Sequence, residues 1–206
     1  MIYYSGDLVP KDINKAIYYF MSASNQNNAK SQLVLGDLYT NGVYFKKDIG
    51  KAIYYYQLAA KQNNKIAQFS LGLIYHFGNG VPVNINKAIY YYLLSAKNNY
   101  SKAQNNLAVI YITGKGIEQD INKAIYYYTL AANQNEIQSL YDLAFAYEEG
   151  KYVKQDTNKA IYYYTLAANK NHALSQYSLG NIYFRGILVH RDVKKAIHYY
   201  TLAAKQ

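Results

Sequence analysis

The hexapeptide Lys-Ala-Ile-Tyr-Tyr-Tyr begins at Lys51, Lys87, Lys123 and Lys159 and recurs with small changes at Lys15 and Lys195, always 36 residues apart. A fixed period of roughly 20 to 50 residues without insertions marks a stack of like units, each covering a face that its neighbour leaves bare. The 206 residues are therefore expected to form one array over 1–206 with no internal domain boundary. It consists of a partial first repeat over 1–28 and repeats over 29–64, 65–100, 101–136, 137–172 and 173–206.

Aligned in rows of 36, the sequence falls into columns. Gly6, Gly42, Gly78, Gly114, Gly150 and Gly186 form one; Tyr3, Tyr39, Tyr75, Tyr111, Tyr147 and Tyr183 form another. Leu35, Leu71, Leu107, Leu143 and Leu179 are each followed by a small residue, Gly36, Gly72, Ala108, Ala144 or Gly180. An apolar residue, a small residue and a Tyr at i, i+1 and i+4 suit a helix packed closely on a neighbour. This helix A should run from about Ala29 to Asn41 in the second row and stop at a glycine able to adopt the left-handed conformation. A short loop follows, with one apolar position at Val9, Phe45, Val81, Ile117, Val153 and Val189.

Helix B should start at Asp12, Asp48, Asp120, Asp156 and Asp192, with Asn84 in the remaining row; both residue types cap helix N-termini. Within it Ala52, Tyr55, Tyr56, Ala59 and Ala60 share one side, and Tyr54, Gln57 and Leu58 the other. Asn-rich links such as Asn25 to Asn28, Asn63 to Asn64 and Asn98 to Asn99 would then turn the chain into the next helix A.

Composition removes whole classes of function. With no cysteine, the chain has no disulfide, thiolate metal site or Cys nucleophile. His76, His172, His190 and His198 occupy four different columns without ligand spacing, so neither a metal nor a cofactor is expected. Glu148 and Glu149 are adjacent and diverge on a helix. No Ser or Thr is spaced with a base as a nucleophile would need, and no enzyme is expected. No run is apolar and long enough for a membrane span and the first twenty residues lack signal-peptide order, which gives a cytoplasmic expectation and no membrane partner. The net charge is +10, but 20 of the 22 basic residues are Lys, whereas bases and phosphates are read mainly by Arg.

The pattern Leu-Gly-x-x-Tyr, then Gly, a short loop to Asp, and Lys-Ala-x-x-Tyr-Tyr-x-x-Ala-Ala resembles the Sel1-like repeat, a relative of the tetratricopeptide repeat. The resemblance spans the chain. It departs from the family at Tyr55 and its equivalents, where a larger aromatic is usual, and at the Asn links, where Gly is usual. What it implies is an all-α, right-handed α-solenoid of 36-residue antiparallel helix pairs, acting as a non-catalytic scaffold or adaptor for protein complexes.

The resemblance also implies that helix A positions i, i+3, i+7 and i+10, which vary between rows, face a concave groove that holds a protein or peptide segment. In the second to fourth rows these are Lys30, Leu33, Asp37 and Thr40; Ile66, Phe69, Leu73 and His76; and Lys102, Asn105, Val109 and Ile112. In the last two they are Gln138, Tyr141, Phe145 and Glu148, and Leu174, Tyr177, Asn181 and Phe184. Phe69 and Phe145 could equally complete the packing between repeats.

A second surface is expected on the convex side, where Tyr18, Tyr54, Tyr90, Tyr126 and Tyr162 would form a stripe with Leu58, Leu94, Leu130, Leu166 and Leu202 and support self-association. Neither end carries a polar cap, so the chain is expected either to be part of a longer array or to have its ends covered. Two other functions stay open: binding of nucleic acid or an acidic ligand along the column Lys15 to Lys195, and, last, a hydrolase of the kind linked to Cys-rich relatives. Local pairing of each Lys with its Asp cap argues against the first.

Overall fold

The computed structural model describes residues 12–186 and 189–206. Among them are eleven α-helices and no strand: α1 (Ile13–Asn25), α2 (Ala29–Asn41), α3 (Ile49–Lys61), α4 (Lys65–Phe77), α5 (Ile85–Lys97), α6 (Ser101–Thr113), α7 (Ile121–Asn133), α8 (Ile137–Glu149), α9 (Thr157–Ala168), α10 (Ala173–Arg185) and α11 (Val193–Ala204). The fold is an all-α repeat solenoid in which the odd-numbered helices carry the hexapeptide and the even-numbered ones are the A helices. Contacts divide the chain into two compact units, Met1–Ala103 and Gln104–Gln206, with the division inside α6. The expected last turn of a helix A before Gly6, the column members Tyr3 and Val9, and residues 187–188 lie outside the described residues.

Each B helix starts as its cap residue dictates. Asp12, Asp48, Asn84, Asp120, Asp156 and Asp192 accept through Oδ1 the backbone N–H three residues on, at 2.9–3.0 Å. That satisfies one of the donors that every helix start leaves unpaired. The A helices α2, α4, α8 and α10 end at Gly42, Gly78, Gly150 and Gly186 with φ between 61° and 71°. Between B and A helices the left-handed position belongs to Asn27, Asn63, Asn99, Asn135 and Asn171, with φ 55–63°. Asn serves at these positions because its short polar side chain tolerates that region.

The three tyrosines of the hexapeptide have three different environments. The first is exposed, as at Tyr54 and Tyr90. The second stacks on the tyrosine of helix A: Tyr39 on Tyr55, Tyr75 on Tyr91, Tyr111 on Tyr127, Tyr147 on Tyr163 and Tyr183 on Tyr199, with centroids 5.7–6.0 Å apart and rings within 6° of parallel. The hexapeptide lysine lies over that helix A ring at 4.9–5.3 Å, a cation–π arrangement that also packs its stem. The third, Tyr56, Tyr92, Tyr128 or Tyr164, is buried among the Leu and Ala columns. Its ring lies against the small residue of helix A; a Cβ added at Gly36 would stand 2.5 Å from Cδ1 and Cε1 of Tyr56.

The expected stripe of B-helix Tyr and Leu is narrower than the sequence suggests. Tyr18, Tyr54, Tyr90, Tyr126 and Tyr162 are exposed, but Leu58, Leu94, Leu130, Leu166 and Leu202 are half-buried. Leu166 packs against the cluster holding Tyr128 and Leu140. Four residues along a helix advance the direction by about 40°, enough to turn each Leu from solvent into the seam beside it.

Candidate functional site

Helix A positions differ from row to row while the tyrosine beneath them does not. The hydroxyl of the third hexapeptide tyrosine, a residue buried at Tyr56, Tyr92, Tyr128 and Tyr164 and half-buried at Tyr200, reaches the A-helix face and meets a different partner there. Tyr56 donates to Asp37 Oδ1 at 2.7 Å and lies 3.1 Å from Thr40 Oγ1. Tyr92 pairs with His76 Nδ1 at 3.2 Å, Tyr164 donates to Glu148 Oε2 at 2.6 Å, and Tyr200 donates to Asn181 Oδ1 at 2.8 Å. Tyr128 is bonded to Asp142. Burial and the acidic partners hold the hydroxyls of Tyr128 and Tyr164 far above the ordinary phenol range. They are therefore donors, not bases.

These contacts sort the expected groove residues. Asp37, His76, Glu148 and Asn181 bond to the tyrosine hydroxyls. Phe69 lies against Tyr92 and Tyr100 with centroids 5.7 and 5.1 Å away, so it completes packing. Tyr141 does the same against Tyr164 and His172, whereas Tyr177 meets Tyr200 at a tilt and is 54 % exposed. Leu33, Leu73, Val109 and Ile112 are half-buried, and Asn105 accepts from Ser139 Oγ at 2.7 Å. Lys30, Ile66, Phe145 (48 % exposed) and Phe184 (49 %) present their side chains to solvent. Phe145 lines a cavity of about 120 Å³ with Ile112, Tyr128, Asp142, Ala146, Glu149, Lys151 and Tyr152. Glu148 and Glu149, expected to diverge, both line a neighbouring cavity of about 180 Å³ with Asn181 and Arg185, because that cavity wraps the end of α8.

The sequence reading missed Asp142, although it is the one charged residue in a column otherwise holding Val34, Ser70, Asn106 and Ser178. Burial raises the carboxyl pKa of both Asp37 and Asp142, opposed in part by the hydrogen bond from Tyr56 to Asp37 and by those from Gln138 and Tyr128 to Asp142. A raised carboxyl pKa means that the ionised form costs stability above that pKa, and that the cost disappears as acid protonates the group. Asp37→Asn and Asp142→Asn, which keep an oxygen acceptor for the hydroxyl, should therefore be more stable than wild type at pH 7. In denaturant titrations the difference should shrink as pH falls toward the ordinary carboxylate range. A difference that widens on acidification would show the carboxylates to be stabilising instead.

The reading also missed a serine with a base nearby. Ser175 Oγ lies 2.8 Å from His172 Nδ1. That same nitrogen accepts the Ser175 backbone N–H as the cap of α10, Ser175 is 0 % exposed, and burial lowers the His172 pKa. No substrate reaches such a hydroxyl, so the pair is a helix cap. Among the described residues, no three His, Asp or Glu side chains converge as a metal site, and no helix is long and apolar enough to cross a membrane.

At the start of the B helices, Nζ of Lys15, Lys51, Lys123, Lys159 and Lys195 lies 2.9–3.9 Å from the Asp cap of its own helix. Lys87, capped by Asn84, has no such acid in its own cap. The column's charge is thus largely compensated where it stands.

The Sel1 repeat model matches residues 1–28, 29–64, 65–100, 101–136, 137–172 and 173–206. The chain belongs to the Sel1 repeat family. A Sel1 repeat protein from Oxalobacter formigenes superposes with a TM-score of 0.88 at 30 % identity, over 99 % of this chain and 84 % of that one. The protective antigen c5321 of uropathogenic Escherichia coli, displaying the same repeat fold, gives 0.71 at 25 % identity, and this chain spans 52 % of its length. The immunity protein PA5088 of Pseudomonas aeruginosa, 20 % identical with a TM-score of 0.61 over 97 % of this chain and 75 % of that one, shares the fold. No curated protein matches the chain. Sel1 repeats generally serve as non-catalytic scaffolds for protein–protein interaction.

Proposed function

We propose that this Sel1 repeat protein is a scaffold that binds a polypeptide segment along its A-helix face. The observation that carries the reading is the contrast between fixed and varied positions. The tyrosine framework is repeated from row to row, whereas its hydroxyl partners and the apolar residues Ile66, Phe145 and Phe184 above it change. A rigid framework presenting varied, partly exposed anchors loses little entropy on binding and selects its partner by side chain. The locally paired lysines favour this face over the Lys column.

The test is capture of partners from native lysate at near-physiological salt after nuclease treatment. Wild type is compared with Ile66→Glu/Phe145→Glu/Phe184→Glu and with Tyr54→Ser/Tyr90→Ser on the B side. All three changes of the first variant fall at exposed sites, so its helicity and cooperative unfolding should match wild type. Loss of the captured protein with the first variant and retention with the second is expected; the reverse pattern, or loss only on nuclease treatment or at high salt, defeats the reading.

A further inference from the structure

The cavity beside Phe145 has a definite chemical character. Ile112, Phe145, Ala146 and Tyr152 supply apolar and aromatic walls, and Asp142 and Glu149 supply carboxylates. At about 120 Å³ it is close to the size of a pocket that takes up one benzene-sized group, about 150 Å³, and too small for a helix or a strand. Its occupant is therefore one side-chain head.

The charge on α8 says which kind. α8 carries Asp142, Glu148 and Glu149 and no basic residue, whereas α2 carries one Lys, Lys30, and one Asp, Asp37, and α4, α6 and α10 carry Lys65, Lys102 and Arg185 without an acid. Glu148 and Glu149 also stand in the last turn, where the helix dipole disfavours negative charge. Among the described residues, the acids of the B-helix caps pair with Lys, but Asp142, Glu148 and Glu149 form no ion pair. Two cations border the cavities without neutralising them: Lys151, whose Nζ lies over the Tyr152 ring at 5.1 Å, and Arg185. Asp142 accepts from Gln138 at 2.9 Å and Glu148 from Tyr164 at 2.6 Å, but a chain of net charge +10 still concentrates acid without an ion-pair partner on an A helix that borders an aromatic pocket. Departures from local consistency of this sort gather at functional sites.

Resting on the A-helix face as the binding surface, we infer that this pocket takes an arginine side chain of the bound segment, its guanidinium stacked on Phe145 and bridged to Asp142 and Glu149. A planar guanidinium both stacks on aromatic faces and bonds carboxylates in pairs of hydrogen bonds, which a lysine ammonium does not. The partner is a basic segment, opposite to what the net charge of the chain alone suggests.

The experiment is selection of a random twelve-residue displayed peptide library on the full chain at about 150 mM salt. It is repeated on Asp142→Asn/Glu149→Gln and on Ile66→Glu/Phe145→Glu/Phe184→Glu. Arginine should be the most enriched residue on wild type. An enriched peptide should lose at least about tenfold in affinity for Asp142→Asn/Glu149→Gln, as expected for removing the partners of a desolvated charge, and should rank Arg above Lys at the selected position. Both variants are checked by circular dichroism and thermal unfolding. Selection of acidic or uncharged peptides, failure to enrich any arginine-bearing sequence, or arginine selection unchanged in Asp142→Asn/Glu149→Gln overturns the inference. Peptides that lose binding to the apolar-anchor variant but not to the carboxylate variant remove the arginine and leave the A-helix face in place; peptides indifferent to both remove the two together.

Discussion

Gly36→Val should destabilise the first unit by about 3 kcal/mol, the upper end of what overpacking a core costs. The reason is the ring of Tyr56, which fills the space over Gly36 so closely that a first added carbon already stands 2.5 Å from two of its atoms, and the two further methyls of Val need a displacement that one methyl does not. Tyr56 is itself buried, and its hydroxyl is held by Asp37 and Thr40, so the ring cannot swing aside without breaking those bonds. Gly36→Ala is different. The same column holds Ala108 and Ala144 over the buried Tyr128 and Tyr164, so one methyl is accommodated by a small displacement. The loss is then largely offset by the roughly 1 kcal/mol that Ala gains over Gly in a helix interior. Because repeat stability is largely a sum of neighbouring terms, hydrogen exchange should show the Gly36→Val loss concentrated in α2 and α3. A Gly36→Val protein with wild-type stability would refute this account of the column.

The helix boundaries were legible because each is set by a residue doing local chemistry. Asp caps, the glycine stops and the left-handed asparagines act within a few residues, and α2 runs over the expected Ala29 to Asn41. The packing columns were legible because the repeat states each contact several times. What could not be read depends on direction around a helix and on groups that meet only after folding. The stripe leucines turn into the seam by the 40° that a four-residue step leaves over. Phe69 packs onto Tyr92 and Tyr100, while Phe145, in another column, lines an open pocket, and no count of columns distinguishes a wall from a floor. The cavity beside α8 draws Asp142 and Glu149 together with Tyr152 from the following loop, which a face drawn on one helix does not include.

A buried amide column makes the same point and yields a second large effect. Gln68 Nε2 donates to the carbonyl of Ala60 at 3.1 Å, near the end of α3, which also accepts the Asn63 N–H at 3.0 Å, and its Oε1 accepts from Asn98 Nδ2 at 2.9 Å. Gln176 repeats the arrangement with Ala168 and Gln206, and Gln104 accepts from Gln134. In the fifth row Leu140 stands in the Gln column, and there the amide thirty residues on is replaced by Lys170. The two positions change together, as they must if an amide left without its acceptor is costlier than a chain that reaches water. Gln68→Leu should therefore cost about 2 kcal/mol, since it strands the Asn98 amide and removes one of the two bonds to the Ala60 carbonyl, which keeps the Asn63 N–H. Adding Asn98→Lys should recover about half, so the two changes should couple favourably by about 1 kcal/mol in a double-mutant cycle. Chemical denaturation of the four proteins measures it. Strict additivity would mean that Leu140 and Lys170 share a row without sharing a cause, and that the amides contribute to the stack independently.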